Sequence, residues 1–156
     1  FVPPFRLLGV KARTAFALAG IGAVQFGLMY LAYNQSFRHL QSYEVALFTL
    51  TTPIFVTLFA DALDRTLHAR ALLAALIAVA GAAFVTVKNI SIESSLTGLA
   101  LVQLSNAAFA IGQVLYRRLR AQTPGLRDHD VFGLLYAGAF AVTLPIACGK
   151  IERVSH

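Results

Sequence analysis

The chain has 156 residues, of which 58% are hydrophobic, 13% charged and 11% aromatic, with a mean hydropathy of +0.70. Soluble domains carry roughly 45–50% apolar and about 25% charged residues, so composition disfavours an ordinary soluble domain and excludes a disordered chain. A net charge of +6 and a pI near 10.0 would suggest a nucleic-acid partner in a soluble protein. Here the basic residues fall in short clusters between long uncharged stretches. Arg117, Arg118, Arg120 and Arg127 form the longest cluster, with no interleaved aromatic platform. No nucleic-acid partner is expected.

The charge-free intervals predict the architecture. The stretch from Arg13 to Arg38 encloses 24 uncharged residues, and that from Glu44 to Asp61 encloses 16. Arg70 to Lys88 encloses 17, Glu93 to Arg117 encloses 23, and Asp130 to Lys150 encloses 19. Crossing a hydrocarbon core takes about 20 helical residues, and boundary Arg and Lys side chains can snorkel to the headgroups. Five transmembrane helices are therefore expected, near 14–36, 42–62, 69–88, 96–117 and 131–148, in an all-α integral membrane protein. A soluble bundle would need a polar stripe on each surface helix, and Ala71–Val85 has no polar residue in any register.

The first helix carries Ala15, Ala19, Ala23 and Gly27 at fourfold spacing, the kind of small-residue ladder that lets membrane helices approach closely. It also holds Gln25, Tyr33 and Ser36 on one side. The second contains Thr49 and Thr52 beside Pro53. Proline removes the donor to the carbonyl four residues earlier, that of Thr49. The resulting kink either lines a polar path or serves packing alone. The third helix has a ladder of Ala74, Ala78 and Ala82 with Gly81 beside it. The fourth puts Gln103, Asn106 and Gln113 within about 80° of arc. The fifth has Gly133, Ala137 and Ala141, and Pro145 is read as a helix-end feature.

Amides are costly in lipid, so these stripes should face protein or water. They either line a solute path or act as interhelical glue. As path candidates we take Gln25, Tyr33, Thr49, Thr52, Pro53, Gln103, Asn106 and Gln113. No charged residue lies deep in a span, and Glu44 and Asp61 sit at the ends of the second helix. A proton relay of embedded carboxylates is thus not visible. No catalytic motif is present, and the lone Cys148 cannot make an internal disulfide or a cysteine-based zinc site. Asp128-His129-Asp130 is read as a solvated helix start. No catalytic residue, cofactor or metal is expected, and the chain is not read as an enzyme.

Lys and Arg set orientation. Nine basic residues fall on the side that holds residues 1–13, 63–69 and 118–130, against four on the other. Those three segments are expected in the cytoplasm, with the protein in a bacterial inner membrane. Because the first residue is Phe1, not Met, the chain is expected to be a fragment.

The run from Gly20 to Lys88 resembles the EamA-type repeat of the drug/metabolite transporter superfamily. The carrying features are Tyr33-Asn34-Gln35-Ser36-Phe37, then Ala46 to Thr57 around Thr52-Pro53, and the small-residue helix from Ala78 to Phe84. Gly98 to Arg118 looks like the start of a second repeat. The resemblance implies ten helices in two inverted five-helix repeats, moving small metabolites such as amino acids by alternating access. On that reading residues 1–92 end the first repeat and 93–156 begin the second, so the chain is the middle half of such a transporter. Its partners would be the lipid bilayer, a small-molecule solute, and the remaining helices of the full-length protein or a second copy. Amino-acid export is the expected activity. The alternatives are a non-transporting membrane subunit whose polar faces bind other helices, or a compact multidrug or lipid carrier. The missing embedded carboxylate weighs against a cation antiporter of that last kind.

Overall fold

A computed structural model describes residues 11–87 and 96–154, with side chains placed through Gly81, at Phe84, and from 96 to 146. Lys88, Glu93 and the expected repeat boundary at 92/93 lie outside the described residues, as do residues 1–10. Among the described residues every regular element is a helix, with no strand. The elements are α1 (Ala12–Gly22), a π-helical segment (Ala23–Leu28), α2 (Met29–Ser36), α3 (Ser42–Thr49), α4 (Thr52–Asp64), α5 (Ala69–Val87), α6 (Leu96–Gln122) and α7 (Asp128–Val154). Among the described residues four helical stretches are long and apolar enough to cross a membrane: Ala12–Ser36, Ser42–Asp64, Leu96–Gln122 and Asp128–Ile146. The described apolar part of α5, Ala69–Gly81, is shorter, although the helix continues to Val87. At 1.5 Å per residue, its 19 residues reach about 28 Å, close to one hydrocarbon core.

Polar and apolar residues are sorted as lipid demands. Gln25, Ser36, Ser105 and Asn106 are buried, whereas Phe16, Leu73, Ile77, Phe84 and Phe140 are exposed. A particle in water would reverse that order. Here an unpaired amide facing hydrocarbon would cost several kcal/mol, while an exposed Phe costs nothing. The protein is an integral membrane protein.

α6 is the hub, packing on the π segment, α2, α3 and α4, while α1 and the π segment pack on α7 and α5 rests chiefly on α4. One apolar cluster joins Leu18 and Ile21 of α1 to Val131 and Leu135 of α7. Another joins Leu40, Val45 and Val102, with Tyr33 and Phe48 against it.

The first ladder meets α7 at Ala19 and Gly27, and two glycines outside any ladder, Gly22 and Gly138, join them. A Cβ on Gly22 would overlap the backbone of Leu135, and one on Gly138 would overlap the backbone of Ala19. Gly27 lies against Val142, at 3.0 Å from where its Cβ would stand. In contrast, Ala74 and Ala78 of the third ladder are exposed, as are Ala137 and Ala141 of the fifth. Fourfold spacing alone does not say which face meets a neighbour.

Local chemistry explains the element ends. Gln41 and Glu44 form a reciprocal cap at the start of α3, and the Gln41 N–H donates to Glu44 Oε2 at 2.8 Å. α4 ends at Arg65, whose left-handed φ of 51° turns the chain. The buried Asp61 carboxylate then accepts the backbone N–H of His68 at 2.9 Å and lies 2.7 Å from its Nδ1, fixing the entry to α5. Arg118 pairs with Asp64 and so ties α6 to the end of α4. Asp128 and Asp130 do open a helix, and they pair with Arg120 and Arg127. Pro145 is a correction: it lies inside α7, which continues to Val154. Membrane helices tolerate an interior proline where the freed carbonyl finds other partners.

Candidate functional site

The site is built around one face of α6. Halfway along the second span, α3 gives way to α4 at Leu50 and Thr51, where i to i+3 bonds replace the helical pattern. Leu50 N–H donates to the Leu47 carbonyl at 3.2 Å, and Thr51 N–H to the Phe48 carbonyl at 3.3 Å. α4 restarts with Pro53 in its first turn, where a missing N–H is harmless. The Thr49 carbonyl that Pro53 cannot serve accepts the Thr52 hydroxyl at 2.6 Å.

Asn106 of α6 docks into this break. Its Nδ2 donates to the Phe48 carbonyl at 2.9 Å and to Thr51 Oγ1 at 3.0 Å. Thr51 Oγ1 in turn lies 2.9 Å from Gln103 Oε1 and 2.8 Å from the Phe48 carbonyl. The structure thus joins Gln103 and Asn106 through Thr51, a residue outside the sequence candidates. On a helical wheel Thr51 stands about 200° from Thr49, so a stripe anchored at Thr49 passes over it. Thr49 itself donates back to Ala46, at 2.7 Å, and Pro53 is exposed.

Gln25 approaches α6 on another face, about 120° from Asn106 on the wheel, from the π segment, where an i to i+5 pattern widens the helix. It packs on Gly112, where an added Cβ would stand 2.8 Å from Gln25 Cγ. Its Oε1 is buried and finds no hydrogen-bond partner among the described residues. Such an orphan acceptor is rare in a folded protein. Tyr33 packs against the cluster of Leu40, Val45 and Val102 and stands edge-on to Phe37 at 5.1 Å between centroids.

Gln113 lines a groove of about 450 Å³ between α4 and α6, together with Val56, Val114, Tyr116, Arg117 and Arg120. At 100° per residue Asn106, Gln113, Arg117 and Arg120 occupy about 60° of α6. The amide stripe therefore ends in two guanidinium groups. A wheel of α6 carried to Arg120 shows this register; the expected helix ends at 117, which leaves Arg118 and Arg120 in a loop.

The described residues thus form a helical membrane bundle in which α6 carries Gln103, Asn106 and Gln113 on one face, with Asn106 buried. Residues 1–87 match the EamA-like transporter family, more than half of the chain, and the protein belongs to that family. A protein of Pseudomonas aeruginosa named "Probable biotin transporter" is 44% identical over 146 residues, covering 93% of this chain and 51% of its own length. The "Biotin transporter" of Escherichia coli K12 is 37% identical over 145 residues, covering 92% and 48%. That of Salmonella typhimurium is 37% identical over 143 residues, covering 91% and 47%. The chain spans about half the length of these relatives. No solved structure matches it.

Proposed function

We propose that this chain forms part of a transporter that moves a small metabolite across the membrane by alternating access, and that the metabolite is biotin. The relatives named above carry biotin in their names, and amino-acid export has no counterpart among them. Biotin has a neutral ureido ring, which donates two N–H bonds and accepts at its carbonyl, joined to an aliphatic chain ending in a carboxylate. A neutral polar ring suits binding by amides without fixed charge. The observation that carries the reading is the orphaned Gln25 Oε1, a buried acceptor lacking a partner among the described residues, on the segment that packs against Gly112 of α6.

On this reading Gln25, Gln103, Asn106 and Gln113 contribute to the path, with Thr49, Thr52 and Pro53 shaping its wall and Tyr33 at its edge. Residues 1–92 close one five-helix repeat and 93–156 open the next, within a ten-helix protein whose other helices complete the cavity. Residues 1–13, 63–69 and 118–130 face the cytoplasm of a bacterial inner membrane.

Uptake of radiolabelled biotin into vesicles holding the full-length protein tests the reading, with unlabelled biotin and an amino-acid mixture as competitors. Competition by biotin alone is expected. Equal competition by amino acids, or no uptake in either direction, would sink it. One observation favours a second reading: the Thr51, Gln103 and Asn106 bonds close on one another and on Phe48, as helix–helix glue would. If Asn106→Leu and Gln103→Leu abolish assembly but leave the transport of the surviving protein unchanged, those two residues only hold helices together.

A further inference from the structure

We infer that the groove between α4 and α6 is a carboxylate-binding site in which Arg117 holds the acid end of the solute. This inference rests on the transport reading above and extends it to a particular recognition point. Three neighbouring arginines leave α6 here, and two are engaged with protein. Arg118 pairs with Asp64. Arg120 donates to the Leu126 carbonyl at 2.8 Å and to Asp128 at 2.6 Å. Arg117 has neither an ion pair nor a hydrogen bond among the described residues.

The surroundings of Arg117 fit an amphipathic acid. Its groove has the volume of a small-molecule site, about 450 Å³, within the range of ligand pockets. Val56 and Val114 supply apolar wall for an aliphatic chain, and Gln113 and Tyr116 supply polar groups. Arg120 is held in place by Leu126 and Asp128, which leaves Arg117 as the unpaired cation of the groove lining among the described residues. A guanidinium offers paired donors that match a carboxylate's two oxygens, and the interaction strengthens where water is partly displaced. Arg117 also shares the α6 face with Asn106 and Gln113. A solute moving along the amides therefore meets this cation at the helix end. An arginine that merely snorkels to a lipid headgroup needs neither a walled groove nor that register.

The test uses the full-length protein in vesicles of neutral phosphatidylcholine. Phenylglyoxal modification of Arg117 is followed by peptide mass spectrometry, with biotin, biotin methyl ester or hexanoate present. Biotin and hexanoate are expected to slow modification of Arg117, about tenfold at saturation, while the uncharged ester has no effect. In uptake assays Arg117→Gln is expected to raise KM for biotin about tenfold with kcat retained, and Arg117→Lys to restore part of the loss. Equal protection by ester and acid overturns the inference. So does unaltered labelling in a protein that still transports biotin. Protection that appears only when phosphatidylglycerol is added, with no carboxylate needed, assigns the groove to a lipid headgroup and also overturns it. Protection by hexanoate without biotin uptake leaves the groove standing and removes the biotin reading instead.

Discussion

Asn106 Nδ2 lies 2.9 Å from the carbonyl of Phe48, so the middle of α6 caps the point where the second span breaks. That carbonyl is also reached by the N–H and hydroxyl of Thr51, at 3.3 Å and 2.8 Å. Asn106→Leu therefore leaves the Thr51 N–H on that carbonyl and does not strand the acceptor. Interhelical bonds of this kind in membranes contribute about 0.6 kcal/mol on average and at most about 1.7. A loss of about 1 kcal/mol is expected in reversible unfolding of the detergent-solubilised protein. A loss above about 3 kcal/mol would mean that Asn106 supports more than this contact.

Pro53 and Thr52 form a compensating pair across the break. Thr52→Val deprives the Thr49 carbonyl of its 2.6 Å donor and is expected to cost about 1 kcal/mol. Pro53→Ala supplies a backbone N–H four residues beyond Thr49, so Thr52→Val should cost little in that background. The coupling in a double-mutant cycle is the measurement. Additive losses would show that the hydroxyl does not replace the missing N–H.

The α1–α7 contact should be intolerant of a single methyl group. At Gly138 a Cβ would overlap the Ala19 carbonyl, and backbone cannot rotate aside as a side chain can. Gly138→Ala is expected to destabilise by about 1–3 kcal/mol. Gly20→Ala is the control, since nothing lies within 4 Å of its Cβ position. It should be neutral or stabilising by up to about 1 kcal/mol. Thermal unfolding of both variants checks the contrast, and equal shifts would contradict the packing described.

Gln25 is expected to behave in the opposite way from Asn106. Its Oε1 forms no bond among the described residues, so Gln25→Met keeps the volume and removes a desolvated acceptor. Replacing an unsatisfied polar group by an apolar one of similar shape is close to neutral or stabilising. The variant should unfold at or above the wild-type temperature while biotin uptake falls. Reduced stability with unchanged uptake would make Gln25 a structural residue.

The membrane setting and the order of the helices were legible along the chain, because lipid leaves a one-dimensional record. Each span must exclude charge for about 20 residues, and that requirement needs no knowledge of neighbours. The same solvent argument turned Gln25 and Asn106 inward before any partner was known, and both are buried. Asp128 and Asp130 announced a helix start because local backbone donors attract acidic residues there.

Partners were decided only in three dimensions. Spacing marks Ala74, Ala78, Ala137 and Ala141 as contact residues, yet they are exposed, whereas Ala19 and Gly27 of the first ladder meet α7 together with Gly22 and Gly138. A helical wheel assumes an unbroken helix, so it could not show that Thr51 would meet Asn106 at the break before Pro53. Nor could it show that Asp64, far along the chain, would engage Arg118 and leave Arg117 to the groove. Periodicity reports how each helix divides its own surface; which surface meets which depends on crossing angles and loop closures that belong to the assembled bundle.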